Sequence, residues 1–227
     1  MFAVLKKELK TLFFSPMGYI AISALLLVFC GIFYVFTVVN RSVDIGAVYY
    51  GTAMYGLPIV IAILTMKSFA EEKNKETDQI LFMAPRSSIS IVLGKIFAIM
   101  SVIVLSLVLT LIYCAILSIY GNINWKIVLM TILGFLLISM AYTSFGVLVS
   151  TLTENQVISA IVTLIFLLLP LFFTFGNGAL SYLLLIDFFV KIPVGIVSAR
   201  EIVCLSSFTI MCVVLELILL KRRKMYR

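Results

Sequence analysis

The run "IVLGKIFAIMSVIVLSLVLTLIYCAILSIY", Ile91–Tyr120, holds one charge, Lys95, in its whole length. A helix needs about 20 mostly apolar residues to cross the hydrocarbon of a bilayer. This run is longer, so a helix built from it tilts or projects beyond the hydrocarbon. Its apolar residues are continuous rather than alternating, which argues for a helix over a barrel strand. The rest of the chain agrees. Of 227 residues, 63% are hydrophobic and 12% charged, and the mean hydropathy is +1.24. A soluble domain carries roughly 45–50% apolar and about 25% charged residues. The chain therefore reads as an all-α integral membrane protein, a single membrane domain over residues 1–227 with no room for a separate soluble catalytic domain.

Five further apolar runs flank the first: Met17–Val39 and Tyr49–Met66 before it, Ile127–Thr151, Val157–Phe175 and Ile202–Leu220 after it. That predicts six spans. Residues 1–15 are too short and too charged to span. At 100° per residue, Phe2, Leu5, Leu9, Leu12 and Phe13 fall in one sector. Lys7, Glu8, Lys10 and Thr11 face away, with Lys6 at the border. This is the pattern of an interfacial helix lying on the membrane surface, with Lys6, Lys7 and Lys10 toward the headgroups. Ser15-Pro16 breaks it and turns the chain into the first span. The start is not patterned as a cleaved signal, so the first span is expected to stay.

Residues 176–201 are organised differently. Gly176 and Gly178 close the fifth run, and a half-membrane apolar segment follows with Asp187 in its middle. Pro193 and Gly195 then interrupt the chain before the last run. A re-entrant hairpin on the outer side fits this pattern, and so does an amphipathic helix lying on the surface. Irregular backbone at depth needs protein cover or a water-filled cavity.

Basic residues set the orientation. With both termini in the cytoplasm, thirteen Lys and Arg lie inside and four (Arg41, Lys126, Lys191, Arg200) outside. The positive-inside rule selects that topology, a multi-pass protein of the cell membrane. The net charge of +7 is then a matter of topology and anionic lipid rather than nucleic acid.

Several chemistries are excluded. There is no histidine, so Ser-His and Cys-His pairs and imidazole metal sites are absent. Cys30, Cys114, Cys204 and Cys212 lie in apolar runs without a C-x-x-C pair and read as small buried hydrophobes. No P-loop occurs: Gly94-Lys95-Ile96 lacks both the preceding glycine and the Ser or Thr. No catalytic, cofactor or metal residues are expected. The spans hold almost no acid. Glu216, in the last run, is expected to reach the interface and pair with basic residues there, and Lys67 and Lys95 to snorkel outward. Pro58 and Pro170 can kink their helices. Ser139, Ser144, Gly146 and Ser150 give the fourth run a small-residue face for close packing.

Between the second and third runs, residues 67–90 form a charged loop, "KSFAEEKNKETDQILFMAPRSSIS", the longest internal connection on the cytoplasmic side. Glu71 and Lys75 stand four apart in the favourable acid-first order for a helix. Thr77 or Asp78 can cap a second short helix that presents Ile80, Leu81 and Phe82 and stops at Pro85. Apolar residues flanked by charge on an exposed helix suit docking, and equally a solvated connector.

The stretch Ser68–Ala98 resembles the cytoplasmic loop of type-2 ABC transporter permeases. Glu71-Glu72, Thr77, Ile80-Leu81, Pro85 and Val92-Leu93-Gly94-Lys95 carry the likeness. Glu76 stands where glycine is usual, and Gln79 where glutamate is usual. "VLKKELKTLFFSPMGYI" is similar to the family's N-terminal surface helix. "GIVSAREIVCLSSF" resembles the approach to its sixth span, closest to the gliding-motility-type branch. The resemblance implies two membrane subunits, as homodimer or paralogue pair, over two separate ABC ATPase subunits that bind MgATP. An accessory extracytoplasmic protein is compatible with it. It implies that Glu71, Glu72, Lys75, Glu76, Thr77, Asp78, Ile80, Leu81 and Phe82 touch the ATPase, and that the chain is a non-enzymatic exporter subunit working by alternating access. An ion-coupled carrier and a non-transporting anchor or assembly subunit are the alternatives. The first predicts transport that persists without ATP, and the second predicts no substrate pathway.

Overall fold

In a computed structural model the chain is described over residues 2–41, 44–74, 88–120, 124–173 and 199–225. No strand occurs among them. The helices are α1 (Phe2–Phe14), α2 (Pro16–Phe33), α3 (Ile45–Gly51), α4 (Leu57–Thr65), α5 (Ala70–Asn74), α6 (Ser88–Tyr120), α7 (Trp125–Leu152), α8 (Gln156–Phe173) and α9 (Ala199–Met225). Two π-helical turns lengthen the early helices. Tyr34–Val39 continues α2, and Thr52–Gly56 joins α3 to α4.

Among the described residues, five stretches are long and apolar enough to cross a membrane: Pro16–Val39, Ile45–Thr65, Ser88–Ile119, Trp125–Leu152 and Ala199–Arg222. The remaining expected span corresponds to α8, whose apolar stretch Gln156–Leu169 is shorter than the others. The second crossing starts at Ile45, not Tyr49. The Asp44 carboxylate caps it, accepting from the Ala47 N–H at 3.2 Å. Pro58 lies in the first turn of α4, where its missing N–H is tolerated, and the π turn before it absorbs the break in the hydrogen-bond ladder. Asn124 caps α7 in the same way, accepting from Lys126 N–H at 3.2 Å.

The middle helices are the core. In the most apolar part of the second crossing, 67% of residues are buried, and in α7 61%; the first crossing has 17% and the last 22%. α2 and α9 thus keep broad apolar faces for lipid or other protein, while α3, α4 and α7 are enclosed. Toward the end away from α1, Phe29, Phe33, Tyr49, Tyr113 and Phe135 interlock, with ring centroids 5.1–5.9 Å apart. The buried Tyr49 hydroxyl is matched by Thr110 Oγ1 at 2.9 Å. A hydroxyl in apolar surroundings is costly unless it is paired, so this contact fixes α3 against α6.

α1 lies across the opposite end of the bundle, packed on α2 and α6. Lys6, Lys7 and Lys10 are exposed. Two close approaches hold it. A Cβ on Gly94 would stand 3.0 Å from Val4 Cγ1, and one on Gly18 would stand 2.5 Å from the Leu12 carbonyl oxygen. Glycine at 94 lets α1 settle onto α6, and glycine at 18 lets the chain fold back sharply after Ser15. Cys114 and Cys212 are buried and Cys204 half-buried, whereas Cys30 faces outward from α2. The expectation that all four are buried fails there because α2 has only one packed face.

Candidate functional site

The end of the bundle that carries α1 also gathers the end of α4, helix α5, the start of α6 and the end of α7. Lys95 is its centre. This side chain is 2% exposed, so it does not snorkel. Its Nζ donates to Glu8 Oε1 at 3.2 Å and to the Ser68 carbonyl at 2.6 Å, and it sits 4.7 Å over the Phe69 ring. A desolvated ammonium needs such partners, and here they come from two places in the chain, α1 and the Ser68-Phe69 pair before α5. Glu8, expected to face away from the membrane, turns inward instead; its side chain is 15% exposed. The "VLGK" sequence now has a local reason. Gly94 admits α1, and Lys95 then reaches the acid that α1 brings.

α5 is fastened from a second direction. The Ser150 hydroxyl, near the end of α7, accepts from Phe69 N–H at 2.9 Å and Ala70 N–H at 3.0 Å. It is a cap supplied from a distant helix rather than from the preceding residue. Lys73 closes the loop, donating to the Thr151 carbonyl and to the Thr153 carbonyl at the end of α7. A cation there complements the carbonyls and dipole of the helix terminus. Just inside the membrane end, a Cβ on Gly146 would lie 2.5 Å from Thr65 Oγ1, so α7 and α4 touch closely below α5. Ser139, Ser144 and Ser150 are fully or almost fully buried on the same helix, and the small-residue face expected of it packs inward.

Among the expected partner-contact residues, Glu71 is half-buried on α5, and Glu72 lies on the same helix. Lys75, Glu76, Thr77, Asp78, Ile80, Leu81 and Phe82 fall outside the described residues. So do the outer-hairpin residues Gly176, Gly178, Asp187, Pro193 and Gly195. Sequence reasoning missed Glu8, Lys73, Lys95 and Ser150 as joint residues. The signal available was a lone lysine beside a glycine in an apolar run. No group of His, Cys, Asp and Glu able to hold a metal occurs among the described residues.

Glu216 also departs from expectation. It is fully buried on the packed face of α9, with Glu201, Leu205, Cys212 and Leu220 in the same stripe. Neither carboxylate oxygen has a hydrogen-bond partner among the described residues. It does not reach the interface, because the face of α9 that carries it is the one pressed on α7.

Among the described residues, a helical bundle with several membrane-crossing helices and a short charged helix locked to their ends is the architecture of a multi-pass membrane protein. The sequence model described as "ABC-2 family transporter protein" matches residues 39–215. The chain belongs to the ABC-2 transporter family and is a permease-type membrane subunit of an ABC transporter, not its ATPase. A comparison with curated proteins returned no match.

Proposed function

We propose that the chain forms half of the substrate pathway of an ATP-driven exporter. Two such subunits, identical or paralogous, pair over two ATPase subunits that bind MgATP, and an accessory extracytoplasmic protein is compatible with this arrangement. Both termini lie in the cytoplasm, α8 completes six spans, α1 rests in the membrane interface, and residues 176–201 form an outer re-entrant hairpin. The branch is the gliding-motility type, on the likeness of Gly195–Phe208. Substrate leaves by alternating access, and no residue of this chain makes or breaks a bond.

The observation that carries the reading is the fastening of α5. Ser150, Lys73 and Lys95 join it and the residues just before it to α7, α6 and α1 over distances of 2.6–3.2 Å. A force applied at Glu71, Glu72 or the adjoining residues 75–82 is therefore delivered to the ends of three helices at once, as a coupling element requires. Packed elements shift between discrete arrangements rather than deforming continuously, so such a load can reset the pathway.

The test is co-purification with the ATPase encoded beside it, followed by ATP-dependent transport in proteoliposomes. Charge reversal of Glu71 and Glu72 should weaken the complex and reduce transport by about tenfold or more, the effect of losing ~1.4 kcal/mol of contact. An intact complex and undiminished transport in the double reversal would exclude this contact.

A further inference from the structure

Beneath α1, between the starts of α2 and α6 and the end of α4, lies a cavity of about 150 Å³. Its lining is divided. Met17, Ile63, Leu64, Ala98 and Ile99, with Leu12, make its apolar lining, and Glu8, Lys67, Ser68, Glu71 and Lys95, with Thr11 and Ser15, its polar lining. Water alone would not select that split. A headgroup joined to acyl chains would, because one part is ionic and the next is hydrocarbon.

The polar wall has unused capacity. Ser68 is 8% exposed, and its Oγ has no hydrogen-bond partner among the described residues. A buried hydroxyl left unmatched is rare and calls for an explanation. Lys67 beside it is half-buried and makes no ion pair with a described residue. A hydroxyl donor next to an ammonium suits a phosphate oxygen. The charges of Lys67, Lys95, Glu8 and Glu71 sum to zero. An anionic ligand would leave a net charge in a partly desolvated site, whereas a zwitterion leaves it neutral. A carboxylate accepts several donors, so Glu8 and Glu71 can serve an ammonium in addition to the partners they have. The volume resembles that of a ~150 Å³ cavity known to accept benzene. It fits a headgroup, and the chains must lie outside along Met17 and Ile63.

We propose that this cavity is a headgroup site for a zwitterionic aminophospholipid of the phosphatidylethanolamine class. Lys67 and the Ser68 hydroxyl hold the phosphate, Glu8 and Glu71 receive the ammonium, and the apolar wall carries the start of the chains. The site places a lipid against the residues that fasten α5, so the composition of the bilayer acts on the joint. It rests on α1 lying in the membrane interface, and it is independent of any ATPase.

The test needs only the full chain in vesicles of equal phosphatidylethanolamine, phosphatidylglycerol and phosphatidylcholine. After extraction, native mass spectrometry reads the retained lipid. Phosphatidylethanolamine should be retained about tenfold over the other two, and Lys67→Ala or Ser68→Ala should remove about tenfold of that retention, the size of one charge-assisted bond. Lys67→Arg should keep it, which separates lipid binding from a folding defect. Equal retention of phosphatidylglycerol, no retained lipid, or unchanged retention in both alanine variants would overturn the proposal. So would equal protection against thermal unfolding by free phosphoethanolamine. Failure of ATPase binding or transport with lipid selectivity intact would instead count against the exporter reading alone.

Discussion

Replacing Lys95 by methionine keeps the length of the side chain and removes its charge. The Glu8 carboxylate then loses a donor at 3.2 Å, the Ser68 carbonyl loses one at 2.6 Å, and the Phe69 ring loses its cation. Removing one partner of a buried ion pair costs about 3–5 kcal/mol, chiefly because the other charge is stranded. Glu8 retains 15% exposure and can draw in water, which points to the lower end, about 3 kcal/mol. For a chain of this length ~1 kcal/mol moves the Tm by roughly 2–4 °C, so the expected fall is about 6–12 °C. The assay is thermal unfolding of the purified protein in detergent, followed by tryptophan emission from Trp125 and by light scattering. Lys95→Arg, which keeps the charge, should lose less than half as much. A cycle with Glu8→Gln should give a coupling of about 1–2 kcal/mol. A Lys95→Met protein that melts within ~1 °C of the parent would refute the view that this lysine is a joint, and so would losses that simply add.

Two further outcomes follow from packing. Gly146→Ala forces a methyl to within 2.5 Å of Thr65 Oγ1 and 2.9 Å of Thr65 Cβ, and should cost about 1–3 kcal/mol; adding Thr65→Ala should return part of it, read as a rise in Tm. Glu216→Leu replaces an unmatched buried carboxylate by an apolar group and should stabilise the protein by about 1–3 kcal/mol, and a lower Tm would mean that the carboxylate has a stabilising role.

The helices of this fold were legible because continuous apolar runs leave the backbone no other way to satisfy itself in lipid. Their boundaries shifted where polar caps decided them, as Asp44 does for the second crossing. Glycine and the small-residue face of α7 could be noticed in the sequence but not assigned a neighbour: nothing local says that Gly94 faces Val4 or that Gly146 faces Thr65. The joint was the least legible part. Lys95 read as a lysine free to snorkel because its acid lies 87 positions away on a surface helix. Glu216 read as interfacial from its nearness to the basic tail. Its helical phase, which puts it on the packed face of α9 with Cys212 and Leu220, carried the deciding information.

The cap on α5 also bears on how the protein is made. Ser150 follows Ala70 by 80 positions, and the third and fourth apolar runs must be synthesised and inserted before it exists. At ~5–20 residues per second, that is a delay of roughly 4–16 s. During that interval the first turn of α5 has no hydroxyl from α7 to accept its backbone donors. The element proposed to receive the ATPase is thus completed only after the fourth crossing is in place, an ordering that would keep a half-built subunit from engaging its motor.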